Sequence, residues 1–346
     1  MKRVLSRLPE WLASSQLTLA GFALLAVGVL ATYSRPDASA APMVLPLALL
    51  ALNLAAALAV RPELRRGGLG LFHVALLLLL LLVAAGRMTH FDGRVEVAEG
   101  AMLDPAQIEV TGSGPWHGDR WRRLQFRQGP YEVDYAAGVK RGHTRSSVWA
   151  GDAANSAPGG APGGANDLGG APRDAPSVVG DDAPLVLAGY RFYTTHNKGL
   201  APLLTWQPEG GAAVQGVLHM PSYPLFDYQQ ENRWTTPDGT LLRFWLRIER
   251  PLSEQSAWTL DPHTLPAVLV VEAAGVRSEL RPGDSVALRG ATLRYERLTG
   301  WMGYRIFYDP TLLPLFVVAL LGVLGLAWHL WQRHSRPLPQ ADGVAA

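Results

Sequence analysis

A single histidine, His73, lies inside a run of apolar side chains that is long enough to cross a lipid bilayer. The run begins near Leu69 and continues, largely as leucine, to Ala85. An ionisable side chain in such a segment is costly to bury and is therefore a candidate for function. Because neutral imidazole is a ligand for transition metals, including haem iron, the first chemistry to consider at His73 is axial ligation.

A structural role for His73 is also open at this point. It lies about one turn inside the end of its span, given a helical rise of about 1.5 Å per residue. There, a neutral imidazole can hydrogen-bond a neighbouring helix or reach the membrane interface. Gly67, Gly68 and Gly70 precede it. A helix face without side chains lets another helix, or a flat macrocycle, approach closely.

His329 is a second histidine at a comparable depth, near the end of the last apolar segment. Trp328 and Trp331 flank it and Arg333 follows. This composition is typical of the membrane interface and favours anchoring, with a second axial ligand as the weaker alternative. Asn53, midway along another apolar segment, is predicted to hydrogen-bond between helices.

The sequence gives little support for other kinds of metal site or catalytic site. Six further histidines show no ligand spacing, and most are predicted to be surface or turn residues: His90, His117, His143, His196, His219 and His263. The chain has no cysteine, which excludes a thiol redox pair, covalent haem attachment, disulfides and cysteine-ligated metal sites. No hydrolase, nucleotide-binding or metalloprotease motif occurs, so no self-contained enzyme activity is expected. The net charge of +2 gives no argument for nucleic acid.

Four segments can span a bilayer, where about 20 apolar residues are needed. They cover about 17–33, 43–60, 69–86 and 311–331. Basic residues cluster before the first span, between the second and third, and after the fourth: Lys2, Arg3, Arg7, Arg61, Arg65, Arg66, Arg333 and Arg336. All these positions fall on one side, which the positive-inside rule assigns to the cytoplasm. The prediction is a multi-pass protein with cytoplasmic tails 1–16 and 332–346 and an extracytoplasmic region 87–310.

The first span also resembles a signal peptide, because Ala38–Ala40 looks like a small-residue cleavage site. Its apolar run is long, however, and the residues before it include Pro9, Glu10 and Trp11. These features favour a span that is retained in the membrane.

The extracytoplasmic region is predicted to be rich in β-structure. Apolar residues alternate from Leu242 to Ile248 after a turn at Pro237–Gly239, which predicts a hairpin over 232–249. Further short strands are predicted at 124–126, 131–135, 268–272, 285–288, 292–297 and 304–308. Many short strands favour a sandwich or an open barrel. The segment 150–183 is dominated by Gly, Ala, Pro and Asp and is predicted to be a disordered insertion.

This layout, with four residue strings, resembles the ResB (CcsB) family of System II cytochrome c biogenesis. The strings are Gln16–Leu19 in the first span, Gly70–Leu76 in the third, Phe91–Gly100 after it, and Leu298–Pro310 leading into the fourth. The similarity covers both ends of the chain and is looser across 101–290. Fold class and topology agree with it: four transmembrane α-helices and a β-rich extracytoplasmic domain.

The resemblance implies an accessory subunit of a cytochrome c synthase in the bacterial inner membrane. Such a subunit helps to move haem outward and to present it to apocytochrome c. The implied partner is a tryptophan-rich membrane protein, CcsA (ResC), and thiol-reducing periplasmic proteins act indirectly. The family's histidine in the third span, an axial ligand of a transient b-type haem, corresponds to His73, so the implied metal is haem iron.

A different class of function is the alternative. The spans would then serve only as an anchor, and the β-rich domain would bind a secreted partner or apocytochrome without any haem. In that case the hairpin at 232–249 and its exposed aromatic residues would matter more than His73.

Overall fold

A computed structural model describes residues 10–34, 40–150, 176–253 and 255–335. The chain divides into two compact units. The helical unit takes the described residues up to 92, together with 110–118 and those from 308 onward. The β unit takes 93–109 and the described residues of 119–307.

Four helices in the described part of the chain are long and apolar enough to cross a membrane. They are α1 (Ser15–Ser34), α2 (Ala41–Val60), α3 (Gly67–Thr89) and α4 (Leu312–His334). The four predicted spans are therefore confirmed, and the chain is a membrane protein. Each helix exceeds its predicted apolar run by up to three residues at an end, because helical hydrogen bonding continues past the last apolar side chain.

Asn53 joins the first two helices. Its side chain is buried and accepts a hydrogen bond from Thr18 Oγ1 at 2.7 Å. Its amide donates to the carbonyl oxygens of Leu12 at 2.6 Å and Ser14 at 3.0 Å. Since all three partners lie in or just before α1, the predicted interhelical role of Asn53 is confirmed.

The strands are short, apart from two. In chain order they are β1 (Phe91–Ala98), β2 (Glu109–Ser113), β3 (Phe126–Ala136), β4 (Lys140–Ala150), β5 (Ser177–Val179), β6 (Leu185–Leu187), β7 (Tyr190–Pro208), β8 (Val214–Val217), β9 (Glu231–Thr235), β10 (Leu241–Ile248), β11 (Trp258–Leu260), β12 (Ala267–Ala273), β13 (Val276–Leu280), β14 (Ser285–Leu288) and β15 (Ala291–Tyr308).

These strands form three open antiparallel sheets, none of which closes into a barrel. The largest has the order β2-β1-β15-β7-β6, with β14 paired to β15 and β8 paired to β7. The second has the order β13-β12-β10-β9 and the third β11-β3-β4-β5. The predicted class, membrane helices with a β-rich domain, is confirmed.

The hairpin predicted over 232–249 is present as β9 and β10, which pair from Leu241–Thr235 to Trp245–Glu231. Leu242 and Phe244 face the core and are buried. This is the alternation that the sequence shows.

Two local predictions are corrected. The segments 292–297 and 304–308 belong to one strand, β15, because β7 pairs with it along almost its whole length. The insertion predicted at 150–183 is shorter at its C-terminal end, since Ser177–Val179 pairs with β4. Val179 is buried there, which gives this end of the segment an apolar contact that its overall composition hides. Residues 151–175 lie outside the described part of the chain.

A closed ring of hydrogen bonds lies in the core of the β unit. Gln128 Nε2 donates to Ser146 Oγ at 2.8 Å, and the Tyr304 hydroxyl donates to Gln128 Oε1 at 2.7 Å. Ser146 and Tyr304 are 2.7 Å apart, and with the other two donors assigned, Ser146 donates to Tyr304. Because all three side chains are buried and mutually satisfied, the ring ties β3, β4 and β15 together.

Lys198 on β7 is the most deeply buried cation of the β unit among the described residues, with 1% of the residue exposed. Its ammonium group lies 5.8 Å from the centre of the Tyr135 ring. Burial, and secondarily the charge of Arg141, lowers the pKa of Lys198 to about 8. The charged form is therefore disfavoured in the folded state.

Replacing Lys198 by Met should stabilise the protein at pH 7. The unfolded lysine keeps its proton up to a pKa of 10.5, so the burial penalty is complete below about pH 8 and disappears as the pH rises towards 10.5. We expect a gain of about 3 kcal/mol at pH 7 that shrinks towards zero above pH 10. Thermal unfolding of the full-length protein in detergent, followed by tryptophan fluorescence across this pH range, measures it. A gain that does not change with pH would contradict the assignment.

Candidate functional site

Helix α3 sets the position of His73. The chain enters it through Arg66, whose backbone is extended, and Gly67, whose φ of 56° is a left-handed conformation that glycine adopts without strain. The helix then runs to Thr89 without a break. His73 therefore lies on the second turn of a regular helix, and its side chain is half-buried.

One hydrogen bond fixes the imidazole of His73. Nδ1 lies 2.8 Å from the carbonyl oxygen of Leu69, one turn earlier, and the Phe72 ring packs edge-on at a centroid distance of 5.4 Å. A carbonyl only accepts, so Nδ1 must carry the proton. In the neutral ring the lone pair is then on Nε2, which has no hydrogen-bond partner among the described residues. A ligating histidine usually has this arrangement, with one nitrogen donating to a carbonyl and the other left for the metal.

Of the glycines before His73, Gly68 serves helix packing. The backbone of α4 from Gly325 to His329 occupies the space that a side chain at Gly68 would need. One turn on, Gly322 packs against Ala75. Of the two alternatives for this side-chain-free face, a neighbouring helix or a macrocycle, the structure places the helix α4 there.

His329 lies at this interface, because its own backbone is the part of α4 that contacts Gly68. His73 lies five residues beyond Gly68, which on a helix of 3.6 residues per turn rotates it by about 140°. The contact at Gly68 therefore lies on a different face of α3 from His73.

Two histidines of the helical unit have structural contacts. His117 is buried, stacks on Phe91 with ring centroids 4.9 Å apart, and donates from Nδ1 to the carbonyl of Thr89 at 2.8 Å. His117 is an exception among the histidines that were mostly predicted to be surface or turn residues, because the chain folds back over the end of α3. His90 donates from Nδ1 to the carbonyl of Arg87 at 3.0 Å.

In the β unit, His263 forms part of an ionic group. Its Nε2 lies 2.8 Å from one carboxylate oxygen of Glu99, and Arg297 donates to the other oxygen at 3.0 Å. The sequence gives no sign of this group, since the three residues come from distant parts of the chain.

The β unit also carries a cleft of about 680 Å³, which we call the polar cleft. It is lined by Arg94 and Glu96 of β1, Glu109 of β2, Thr195–Asn197 of β7, His219, and Arg305 of β15. Sequence reasoning missed it, because His196 and His219 are 23 positions apart and only the sheet brings them into one cleft. Burial lowers the pKa of both imidazoles, which keeps them neutral at neutral pH.

No protein-family profile matches the chain, and no curated protein matches it. Among solved structures, the chain is similar to CcmF, a cytochrome c haem lyase, with a TM-score of 0.27 and 13% sequence identity. The match covers 91% of this chain and 34% of CcmF, so the chain spans about a third of that protein's length.

The packing at Gly68 gives a direct test of the helix pair. Gly68→Val places a branched side chain against the backbone of α4, and we expect a loss of about 1 to 3 kcal/mol. Thermal unfolding of the full-length protein in detergent, followed by far-ultraviolet circular dichroism, measures this loss. Val74→Leu, at a position 45% exposed on the same helix, is the matched control and should unfold as the wild type does. Equal unfolding temperatures for the two variants would contradict the close contact.

Proposed function

We propose that the protein is a haem-handling subunit of a cytochrome c synthase, with His73 as an axial ligand of haem on the cytoplasmic side. The observation that carries this proposal is the imidazole of His73 inside a membrane helix. It is held by its Nδ1–H bond to Leu69 and has Nε2 unpartnered among the described residues. The strings that resemble the ResB family, one of which contains His73, support the same reading.

An imidazole supplies one ligand, whereas a bare metal ion needs several. Haem supplies four nitrogens from its own ring, so a single histidine is sufficient to hold it by one axial position. The residues around His73 fit this role, because Leu69 fixes the donor nitrogen and the neighbouring leucines give an apolar setting. When bound, the haem is the group to be transferred, and the protein supplies binding and orientation.

The second axial group is proposed to come from the tryptophan-rich partner. Within this chain, His329 is the weaker alternative for that group, because its tryptophan neighbours and Arg333 favour anchoring at the membrane interface. Apocytochrome c is the proposed recipient, on the side of the membrane that holds the β unit.

We expect His73→Ala to lose most of the haem that co-purifies with the wild-type complex, and to abolish cytochrome c maturation. His329→Ala is the matched control and should keep the haem. The measurement is the haem spectrum of the full-length protein purified with its partner. Full haem content in His73→Ala, with normal cytochrome c maturation, would contradict the proposal.

The proposed orientation places the basic clusters in the cytoplasm and the β unit outside. Because the chain has no cysteine, single cysteines report topology without background. Asp182→Cys in the β unit should react in intact cells with a thiol reagent that does not cross the membrane. Glu63→Cys, exposed between α2 and α3, should react only after the cells are opened. The reverse pattern would overturn the orientation.

A further inference from the structure

The polar cleft is built by a break in the pairing of β7 and β15. Met302 pairs with Lys198 and Tyr304 with Thr194, so three residues of β7, Thr195 to Asn197, lie opposite Gly303 alone. Bulges of this kind re-aim side chains and are frequent beside functional sites. Here the bulge brings His196 and Asn197 to the wall of the cleft.

The break is held in place by specific contacts. Thr195 Oγ1 donates to the carbonyl of Gly303 at 2.9 Å. The backbone N–H of Asn197 donates to Thr195 Oγ1 at 3.2 Å. The carbonyl oxygen of Asn197 occupies the space that a side chain at position 303 would need. Gly303 is one of the two glycines in the string Leu298–Pro310, and its close contact with Asn197 explains why a glycine is needed there.

The chemistry of the lining is mixed and polar. Guanidinium groups of Arg94 and Arg305 and carboxylates of Glu96 and Glu109 line one cleft. His219 stacks on Trp301 with ring centroids 5.6 Å apart, which orients its imidazole. Few of the lining side chains are apolar, so the cleft is poorly matched to a flat apolar macrocycle. Glu96 accepts a hydrogen bond from the side-chain amide of Asn197 within the chain. A polypeptide segment, with amide donors and acceptors along its length and charges of either sign, matches a lining of this mixed charge.

The dimensions agree with an extended chain. The cleft crosses four strands that are adjacent in the sheet, β2, β1, β15 and β7. At a spacing of about 4.8 Å between strands, this is a groove of about 14 Å. An extended polypeptide rises by about 3.3 Å per residue, so about four to five residues fit across it.

We propose that the polar cleft binds an extended segment of an unfolded polypeptide, which, on the proposed function, is apocytochrome c. In the hairpin of β9 and β10, which is the alternative surface, the aromatic side chains contact other parts of the chain. Trp234 packs edge-on against Trp206 at 5.1 Å, and Arg277 lies 5.4 Å from the ring centre of Trp245.

The test uses the full-length protein in detergent and a fluorescent synthetic peptide that contains the Cys-x-x-Cys-His haem-attachment sequence, with its thiols blocked. Fluorescence anisotropy gives the affinity. We expect Arg94→Glu and His196→Ala, both at exposed positions of the cleft, to weaken binding about tenfold each. Arg233→Glu, an equal charge reversal on the exposed face of the hairpin, is the matched control and should bind as the wild type does.

Two results would overturn the cleft as the binding site. One is equal affinity for the wild type and all three variants, or no binding by any of them. The other is a loss confined to Arg233→Glu, which would place the peptide on the hairpin.

His73→Ala separates the two proposals, because this variant should lose haem and still bind the peptide. Peptide binding that depends on the cleft, together with full haem content in His73→Ala, would refute the haem proposal alone.

Discussion

At Gly68 in α3 and Gly325 in α4, two helix backbones approach so closely that neither position has room for a side chain. The same constraint acts in the β unit, where Tyr131 lies over Gly300 and the carbonyl of Asn197 lies against Gly303. Packing in membranes relies on such small residues, because there is little hydrophobic drive between helices in lipid. In each unit, the glycines allow neighbouring parts of the chain to approach closely.

Polar side chains in the interior of this protein fall into two groups, which differ in whether their polar atoms have hydrogen-bond partners. Asn53 and the ring of Gln128, Ser146 and Tyr304 have partners for their polar atoms, and these contacts hold helices or strands together. His73 and Lys198 differ. One has a ring nitrogen without a hydrogen-bond partner in the described residues, and the other has a buried amine near an aromatic ring. The half-buried His73 therefore keeps Nε2 for a ligand, whereas the burial of the Lys198 amine lowers stability.

Much of the fold could be predicted from sequence, because membrane spans and alternating strands leave strong local patterns. The four helices and the hairpin at Glu231–Ile248 follow directly from such patterns. The length of β15 could not be predicted, since Leu298–Gly303 reads as irregular until β7 pairs with it. Likewise, the three residues Ser177–Val179 looked like part of a disordered segment, and only their pairing with β4 orders them.

The sequence by itself determined that the chain is a membrane protein with a β-rich domain, and it singled out His73, because a polar residue in an apolar run is visible without any structure. Only the tertiary structure decided how that residue is presented. The Leu69 carbonyl, one turn earlier in the same helix, holds Nδ1. The backbone of α4 from Gly325 to His329 packs on the face that contains Gly68. The polar cleft was also decided at this level, since its residues come from strands that are distant in the chain and meet only through sheet pairing.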